Sequence, residues 1–599
     1  MMFEQAEIAK WKAMIEEMTG VKIPGEIRAA QEAGLQVDWD GGDACIAAED
    51  TTALCRGIFL LSRAIRERQE SLHLREERHF AHCGAMLDMS RNQVMTVAAV
   101  KEWMDRQAAL GLNMLMLYTE DTYEIPEYPY FGYLRGRYTR EDLQELDRYA
   151  AALGIEMIPC VQTLAHMAQY LQWPAARAIK DQPDILLIDS EETYTFLDTM
   201  IRTLASCFTS RRILIGMDEA HGVGLGQYLL RHGYTDRFDL MNRHLERVCG
   251  ICRKYGFRPI MWSDMFFRLG SKKNDYYDPE SHVPDRVIEQ LPQVEMAYWD
   301  YYHDSEAFYE HMLREHERMG RGTVYAGGVW CWSGFMPNRQ LTRHTMDPAL
   351  RVNARRRTDT VIATFWGDDG AETSYRMGID GLTLFSEACW RGPEFDLTEC
   401  DRMAECLTGV PTEIREAWDA FYADDYLKRS SKRLLWSDPL YPCGVDGERM
   451  ETLHRAAGKA IRTLETAAEN TENRYAMALF RTLQGKIELR TALRKAYEAG
   501  NREAVRQIAE TDLPAVTALY ETLNAAHRAL WEASSRRQGW EVLSLRYGGA
   551  IGRLEDVRDE LERWIRGELS SIPELDEAEL PDGKGDLYNQ IVTPSANVW

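Results

Sequence analysis

Between about residue 80 and residue 391, short apolar runs alternate with longer stretches that carry apolar residues at helical spacing. Continuous apolar runs are typical of strands buried in a parallel sheet, and the stretches between them of connecting helices. The runs number eight, and eight strand–helix units close a barrel. We therefore predict an α/β fold built on a (β/α)8 TIM barrel at residues 79–395. The runs are GAMLDM, LNMLMLY, IEMIPCV, ILIGM, RPIMW, VEMAYW, TVYAGGVW and TVIATFW.

The segments on either side of the barrel follow other patterns. Residues 1–78 predict a small N-terminal α/β domain, with helices at 7–19 and 51–68 and extended segments within 34–48. Beyond residue 395 the sequence is rich in Ala, Leu, Glu and Arg with apolar residues at helical spacing, which predicts a C-terminal all-helical domain at 396–599. After residue 572 we expect an irregular tail packed on the surface.

The composition of the chain argues against two classes of partner, nucleic acids and membranes. The chain of 599 residues has 71 Lys and Arg against 95 Asp and Glu, a net charge of −24, and no basic run, so we expect no nucleic-acid partner. No window approaches the roughly 18 apolar residues of a membrane span, and the first residues lack a basic region followed by an apolar one. We therefore expect a cytoplasmic protein without a membrane partner, whose 12 scattered cysteines are reduced.

The predicted strands end on acids, bases and aromatic residues. In a barrel of this kind the carboxyl ends of the strands and the loops after them build the active site. Aromatic rings stack on the flat C–H face of a sugar, and Arg and carboxylates bind its hydroxyls, so this composition predicts a carbohydrate site. The residues are Ser90, Arg91, Glu120, Asp121, His166, Asp218, Glu219, His221, Trp262, Asp264, Tyr298, Trp299, Asp300, Trp330, Trp332, Trp366, Asp368 and Asp369.

The sharpest local feature is ILIGMDEAHG, in which Asp218 and Glu219 end an apolar strand. Where the backbone turns at a strand end, both carboxylates can line one pocket. Burial beside a second negative charge raises a carboxyl pKa, which suits a general acid, and Glu219 has the longer reach. Two other interpretations remain. The pair can cap the helix that follows, or Asp218, Glu219, His221, His166 and Asp264 can hold a divalent metal, although no metal-binding pair such as HxxxH supports it.

On these residues the chain resembles glycoside hydrolase family 20, the β-N-acetylhexosaminidases, and within it the branch with a C-terminal helical domain. IGMDEA resembles the catalytic Asp-Glu pair of the family, which implies catalytic roles for Asp218 and Glu219. LDMSR resembles the first-strand segment, whose arginine, here Arg91, binds the outer hydroxyls of the terminal sugar. QTLAHM resembles the third-strand segment and implies that His166 supports the acid.

Three further segments share this resemblance. IMWSD implies Trp262 as a wall of the sugar pocket. AYWDYY implies that Tyr298 hydrogen-bonds the acetamido oxygen and Asp300 a distal hydroxyl. GGVWCW implies Trp332 as the pocket floor, with Trp330 beside it.

The chain also departs from the family pattern. Leu214 and Met217 stand where the family has His and Gly in front of the acidic pair. The glutamate that follows the seventh-strand tryptophan is absent, so Asp368 or Asp369, after Trp366, becomes the candidate for its hydroxyl contact. Glu120 and Asp121 both remain candidates for contacts to the substrate.

The resemblance implies a retaining exo-β-N-acetylhexosaminidase that needs no metal or other cofactor. The acetamido group of the substrate would attack its own anomeric carbon, an exception to the two-carboxylate scheme of most retaining glycosidases. The substrate would be an oligosaccharide or glycoconjugate ending in N-acetylglucosamine or N-acetylgalactosamine. Alternatives are a two-carboxylate retaining glycosidase that pairs Glu219 with Asp300 or Glu387, and a catalytically silent glycan-binding protein. The helical domain is a candidate for mediating a homodimer.

Overall fold

The computed structural model describes residues 3–422, 430–441 and 447–578. It opens with a four-stranded sheet of order β1-β3-β2-β4, in which β1 and β3 are parallel and the other neighbours antiparallel. The sequence predicted both helices and the extended region of β2 and β3. The edge strands β1 and β4 were not predicted, because their charged and exposed positions hide their periodicity. The elements are α1 (Gln5–Thr19), β1 (Ile27–Gln31), β2 (Leu35–Trp39), β3 (Ala44–Ala48), α2 (Thr51–Arg66) and β4 (Leu72–Glu76).

Eight parallel strands form a closed barrel, and each of the eight apolar runs overlaps one of them. The last strand pairs with the first to close it. The prediction of a (β/α)8 barrel between a small α/β domain and a helical C-terminal region is confirmed. The strands are β5 (His82–Asp88), β6 (Met114–Tyr118), β7 (Glu156–Cys160), β8 (Arg212–Leu214), β9 (Arg258–Trp262), β10 (Glu295–Trp299), β11 (Thr323–Gly328) and β12 (Thr360–Phe365).

Helices surround the barrel and the strand interior is filled by apolar side chains, among them Met86, Met114, Met116 and Ile362, with Trp262 near the carboxyl end. The interior of the barrel is therefore packed with side chains and is not a channel. The helices are α3 (Val97–Ala109), α4 (Arg140–Ala152), α5 (Ala168–Leu171), α6 (Glu191–Ala205), α7 (Gln227–His232), α8 (Arg237–Lys254), α9 (Asp264–Gly270), α10 (Asp285–Glu289), α11 (Glu306–Arg318), α12 (Arg339–Arg356), α13 (Asp368–Ala371), α14 (Tyr375–Gly378) and α15 (Leu382–Arg391).

Past Phe365, the described residues contain helices and turns and no strand. The predicted irregular tail begins with one short helix, α24, and the part beyond residue 578 lies outside the described residues. The helices are α16 (Leu397–Thr408), α17 (Thr412–Trp418), α18 (Ser430–Trp436), α19 (Gly447–Leu464), α20 (Thr471–Glu498), α21 (Arg502–Gln507), α22 (Leu513–Glu532), α23 (Trp540–Arg566) and α24 (Pro573–Asp576).

The turn between α22 and α23 lies on the loop that follows β5. The Gln93 amide donates to the Ser535 hydroxyl over 2.8 Å, and the Arg536 N–H donates to the Val94 carbonyl over 2.8 Å. The helical domain therefore packs on the face of the barrel where the strands end. Among the helices of the described residues, none combines the length and apolarity that a membrane span requires.

Candidate active site

A pocket of about 310 Å³ opens at the carboxyl ends of the barrel strands. Many of the residues predicted for the site line it, Trp299 at the end of β10 among them, together with Tyr301 and Tyr302, for which the sequence predicted no role. Within the described ranges, no group of three or more His, Cys or acidic side chains is arranged to hold a metal ion. The lining residues are Arg91, His166, Asp218, Glu219, Trp262, Trp299, Tyr301, Tyr302, Trp332, Trp366 and Asp368.

The backbone after β8 turns so that both carboxylates of the acidic pair reach this pocket. The strand ends at Leu214, and Met217 and Glu219 adopt left-handed conformations with φ of 74° and 52°. Such conformations cost non-glycine residues about 1–2 kcal/mol each. The strained turn places Asp218 and Glu219 together in the pocket, as expected for a strand end.

Asp218 is held in place by two side chains from the loop after β7. The Gln162 amide donates to Asp218 Oδ1 over 2.7 Å, and His166 Nε2 lies 3.2 Å from Asp218 Oδ2. Gln162 in turn accepts the Met217 N–H over 3.2 Å. Gln162 was not predicted for the site, although its position two residues after β7 was a usable signal. The orientation of Asp218 is fixed before any ligand arrives.

Glu219 is held ionised by its neighbours. His166 Nε2 lies 3.4 Å from Glu219 Oε2. Burial raises the pKa of Glu219, but the contact and charge of His166, with smaller contributions from His221 and Tyr276, lower that pKa to about 2. The sequence predicted a raised pKa. The prediction was wrong because it counted the adjacent acid and omitted a histidine that another strand end brings close.

His166 carries the opposite shift. Burial lowers its pKa, but the carboxylates of Asp218 and Glu219 outweigh burial and hold the pKa well above the ordinary value of 6.5. Asp264, the first residue of α9, accepts the Glu219 N–H over 3.0 Å. Burial, followed by the charges of Asp218 and Glu219, raises the pKa of Asp264 well above 3.8. The raised pKa values of His166 and Asp264 therefore favour a protonated group on each of these two neighbours of Glu219.

Arg91 lies on the opposite side of the pocket among carboxylates and rings. Its guanidinium is 3.2 Å from Glu120 and 3.5 Å from Asp88. Its carbon lies 5.0 Å from the ring centre of Tyr118 and 5.3 Å from that of Trp366. A guanidinium fixed in this way can present its remaining donors to a ligand in the pocket.

The structure distinguishes between Glu120 and Asp121, the two acids after β6 that were both candidates for a substrate contact. Glu120 contacts Arg91 and lies 3.7 Å from His166, but it does not line the pocket. Asp121 turns away from the site, since it is 2% exposed and its carboxylate binds Arg135 Nε over 2.9 Å. Glu120 therefore contacts two residues that line the pocket, Arg91 and His166. The expectation of a substrate contact for Asp121 is wrong.

Aromatic side chains form the walls. Trp262 closes the bottom of the pocket, and its indole N–H has no partner among the described residues. Trp366 donates its indole N–H to the Tyr301 hydroxyl over 2.9 Å. Trp330 does not line the pocket, because its ring stacks behind Trp332 with centroids 4.2 Å apart and its N–H donates to the Tyr301 carbonyl. Trp330 was predicted to contact sugar, and instead supports Trp332.

Two residues expected to bind sugar lie elsewhere. Tyr298 is fully buried on the outer side of its strand, where its ring packs against His316 and its hydroxyl donates to Asp300 over 2.7 Å. Asp300 also accepts the N–H groups of Tyr302 and His303. The expectation failed because successive strand residues point to opposite sides, so Trp299 and not Tyr298 faces inward.

Asp368 lines the pocket together with Arg91. Burial lowers the pKa of Arg91, and the charges of Glu120, Asp88 and Tyr118, with a smaller contribution from Asp368, raise that pKa above its ordinary value. The side chain of Asp369, the other candidate, lies outside the described residues.

Two family models match the chain. The model of the Glycosyl hydrolase family 20 catalytic domain matches residues 80–277, which include Arg91, His166 and the acidic pair. The model of the Glycoside Hydrolase 20C C-terminal domain matches residues 422–589. The two models match the chain in the order of its barrel and helical regions.

Individual proteins are similar over the barrel. Hexosaminidase D of Bos taurus is 27% identical over 239 residues, 38% of this chain and 63% of the relative. Beta-hexosaminidase 3 of Arabidopsis thaliana is 25% identical over 214 residues, 33% of this chain and 40% of the relative. The chain thus spans less than two thirds of these relatives. A crystal structure of an exo β-N-acetylglucosaminidase from Vibrio harveyi has the same fold, with a TM-score of 0.50 at 15% identity over 69% of this chain and 73% of that one.

Proposed function

Because the chain belongs to glycoside hydrolase family 20, we propose that it is a retaining exo-β-N-acetylhexosaminidase that releases terminal β-linked N-acetylglucosamine or N-acetylgalactosamine from glycans. The observation that carries the proposal is the joint position of Asp218 and Glu219 in a small pocket walled by tryptophans. Relatives named hexosaminidases support it.

In the proposed reaction the nucleophile belongs to the substrate. The acetamido oxygen attacks the anomeric carbon, the bond to the leaving oxygen breaks, and a cyclic oxazolinium forms. Asp218, fixed by Gln162, accepts the acetamido N–H and stabilises the positive charge that develops there. Water then opens the ring from the same face, so the configuration is retained.

Tyr301 takes the part first assigned to Tyr298. It lines the pocket and is 5% exposed, and its hydroxyl is held by the Trp366 indole N–H and by Thr364. In the proposed complex this hydroxyl donates to the acetamido oxygen of the substrate. A hydrogen bond there holds the attacking oxygen in line with the anomeric carbon. Arg91 and Asp368 bind hydroxyls on the other side of the ring.

Glu219 acts as general acid and then as general base. In the free enzyme Glu219 is ionised and the proton that the two groups share resides on His166, 3.4 Å away. Transfer of that proton from His166 to Glu219 leaves the pair neutral and readies Glu219 to protonate the glycosidic oxygen. In the second half of the reaction Glu219 takes a proton from water.

The two-carboxylate alternative has weaker support. Asp300 is engaged by Tyr298 and His303 and does not line the pocket. Glu387 is 1% exposed and forms an ion pair with Arg56 over 2.8 Å, also outside the pocket. Neither carboxylate is placed to attack an anomeric carbon next to Glu219.

The test is hydrolysis of paired chromogenic β-glycosides with chelator present, comparing the N-acetylglucosaminide and N-acetylgalactosaminide with the plain glucoside and galactoside. We expect cleavage of the acetamido sugars alone, and inhibition by N-acetylglucosamine thiazoline. Cleavage of the plain glycosides would favour a protein nucleophile. Binding of sugar without cleavage would favour the glycan-binding alternative, and loss of activity only in chelator a metal-dependent enzyme.

The location and assembly of the protein stay predictions from the sequence. Fractionation of the source cells tests the cytoplasmic location, and detection of the protein in the culture medium would contradict it. Light scattering of the purified protein tests for a homodimer.

A further inference from the structure

His221 lies two residues after Glu219 but does not line the pocket, and the proposed reaction gives it no role. Its N–H donates to the Glu219 carbonyl over 2.6 Å and closes a tight turn directly after the acid. Arg237, the first residue of α8, fixes this turn, since its guanidinium donates to the carbonyls of Ala220 and His221. These backbone contacts hold His221 next to Glu219.

Tyr276, from the segment between α9 and α10, connects this histidine with the acid. Its hydroxyl forms hydrogen bonds with His221 Nε2 and with the Glu219 carboxylate. Its ring packs against Trp299, with centroids 5.2 Å apart, and the guanidinium carbon of Arg268 lies 4.8 Å from the ring centre. Contacts to the ring and to the hydroxyl therefore fix the position of the phenol.

The donors in this chain of three side chains follow from their chemistry. An ionised carboxylate only accepts hydrogen bonds, so the Tyr276 hydroxyl donates its single hydrogen to Glu219. The Tyr276 oxygen can then only accept from His221, which assigns the hydrogen of the imidazole to Nε2. The hydrogen bonds therefore run from His221 through Tyr276 to Glu219.

This chain acts on the step in which Glu219 gives up its proton. As the proton moves to the glycosidic oxygen and the bond from that oxygen to the anomeric carbon breaks, Glu219 becomes a carboxylate. A hydrogen bond to a charged group is stronger than one to a neutral group, so the bond from Tyr276 strengthens as the charge develops. Tyr276 keeps its own hydrogen, because burial, followed by the charges of Glu219 and Asp264, raises the pKa of its phenol above the ordinary value.

We propose that Tyr276 and His221 are positioning residues for acid catalysis, in which the Tyr276 hydroxyl, oriented by His221, stabilises the Glu219 carboxylate as it forms. The inference rests on the proposed hexosaminidase activity and adds two residues to it. The chain is separate from the contact of His166 with the same acid, because His166 reaches Glu219 from the loop after β7 and Tyr276 from the segment after α9.

The experiment uses aryl β-N-acetylglucosaminides that differ in how much the leaving phenol needs a proton. Phenol is a poor leaving group and depends on the general acid, whereas 2,4-dinitrophenol departs with little help. For Tyr276→Phe we expect kcat/KM of the phenyl glycoside to fall about 10-fold, the effect of losing one hydrogen bond to a charged group, and that of the dinitrophenyl glycoside to stay within about 2-fold. The ratio of the two values is the readout, because partial misfolding lowers both alike and leaves the ratio unchanged.

A double-mutant cycle tests the link between the two residues. His221→Ala should lower the ratio less than Tyr276→Phe does, since the hydroxyl remains and loses only the group that orients it. The double variant should lower the ratio no further than Tyr276→Phe alone, because His221 acts through Tyr276. Tyr234→Phe is the matched control: it removes the hydroxyl of a tyrosine that is 72% exposed and lies outside the pocket, and should keep the wild-type ratio.

Each contrary result has its own meaning. A wild-type ratio in Tyr276→Phe, including equal losses for both substrates, would overturn the role of Tyr276 and leave the proposed activity standing. Additive effects of the two substitutions would overturn the link from His221 through Tyr276. A wild-type enzyme that cleaves neither glycoside would overturn the proposed activity, and the inference with it.

Discussion

Replacing His166 with glutamine tests how the site holds its reactive proton. Glutamine keeps hydrogen-bonding groups and carries no charge. A unit charge 3.4 Å from Glu219 is worth about 5 kcal/mol at an effective dielectric constant of about 20, and about half of this at a constant of about 40. Because the Glu219 side chain is 38% exposed, we take the smaller figure, which corresponds to about two pKa units.

The sign of the effect follows from the two opposite shifts. With His166 present, the pKa of Glu219 is about 2 and that of His166 is well above 6.5, so the last proton of the pair leaves from His166. In His166→Gln the histidine no longer takes that proton from Glu219, whose pKa rises toward its ordinary 4.5 once the contact and charge of His166 are lost. A pH–rate profile counts protons and does not identify the atom that carries them.

The assay is kcat/KM for a chromogenic N-acetylglucosaminide across about pH 4 to pH 9, since this ratio reports ionisations of the free enzyme. We expect the alkaline limb of the wild type above pH 6.5 and that of His166→Gln lower by about two units or more. His344→Gln, which changes a half-exposed histidine outside the pocket, should keep the wild-type limb. An unmoved limb in His166→Gln would refute the shared proton.

Three further substitutions test other parts of the site. Glu219→Gln should lower kcat by about 10²- to 10⁴-fold, because an amide cannot cycle a proton, while calorimetry still detects binding of N-acetylglucosamine; unchanged turnover would remove Glu219 from its role. Tyr301→Phe should lower kcat more than Tyr298→Phe, since only Tyr301 lines the pocket, and the reverse order in steady-state kinetics would restore the first assignment. Glu372→Gln should cost about 3 kcal/mol in urea unfolding, because two cations lose their buried carboxylate, whereas the exposed Glu568→Gln should cost less than about 0.5 kcal/mol; equal values would contradict this.

The sequence could predict the barrel and the rim of the site because both follow from local patterns. Eight apolar runs become eight strands, and the carboxyl ends of parallel strands must meet at one face. Asp218, Arg91 and Trp262 could therefore be placed at this face from the sequence alone. The contacts of these residues could not be predicted from local patterns, since Gln162 and His166, which hold Asp218, follow a different strand.

The errors have a common physical origin. At the end of β10, the choice between Tyr298 and Tyr301 depends on which way each side chain points once the strand gives way to a turn, and that turn is set by Asp300. The wrong sign for the Glu219 pKa likewise came from reading the neighbour in the sequence, Asp218, and not the neighbour in space, His166. Local patterns fix the position of a side chain along a strand, and long-range contacts fix its environment.

Long-range contacts also make the helical domain part of the candidate site. Glu372 lies in the segment after β12 that also carries Asp368. Its side chain is 1% exposed and contacts Lys432 and Arg546 of the helical domain, each over 2.9 Å.

Lys432 also donates to the Trp332 carbonyl over 3.2 Å. One lysine therefore connects the loop that carries Trp332 with the segment after β12 that carries Glu372. The Trp436 indole N–H donates to Glu372 over 2.6 Å. The loops that carry Trp332 and Trp366 are held by contacts from outside the barrel. A barrel without the helical domain would therefore keep the acidic pair in the turn after β8 and lose the ordered aromatic walls. Both domains therefore form the pocket. The packing of the helical domain against the barrel determines the position of the aromatic walls, whereas the position of the two acids is set within the barrel.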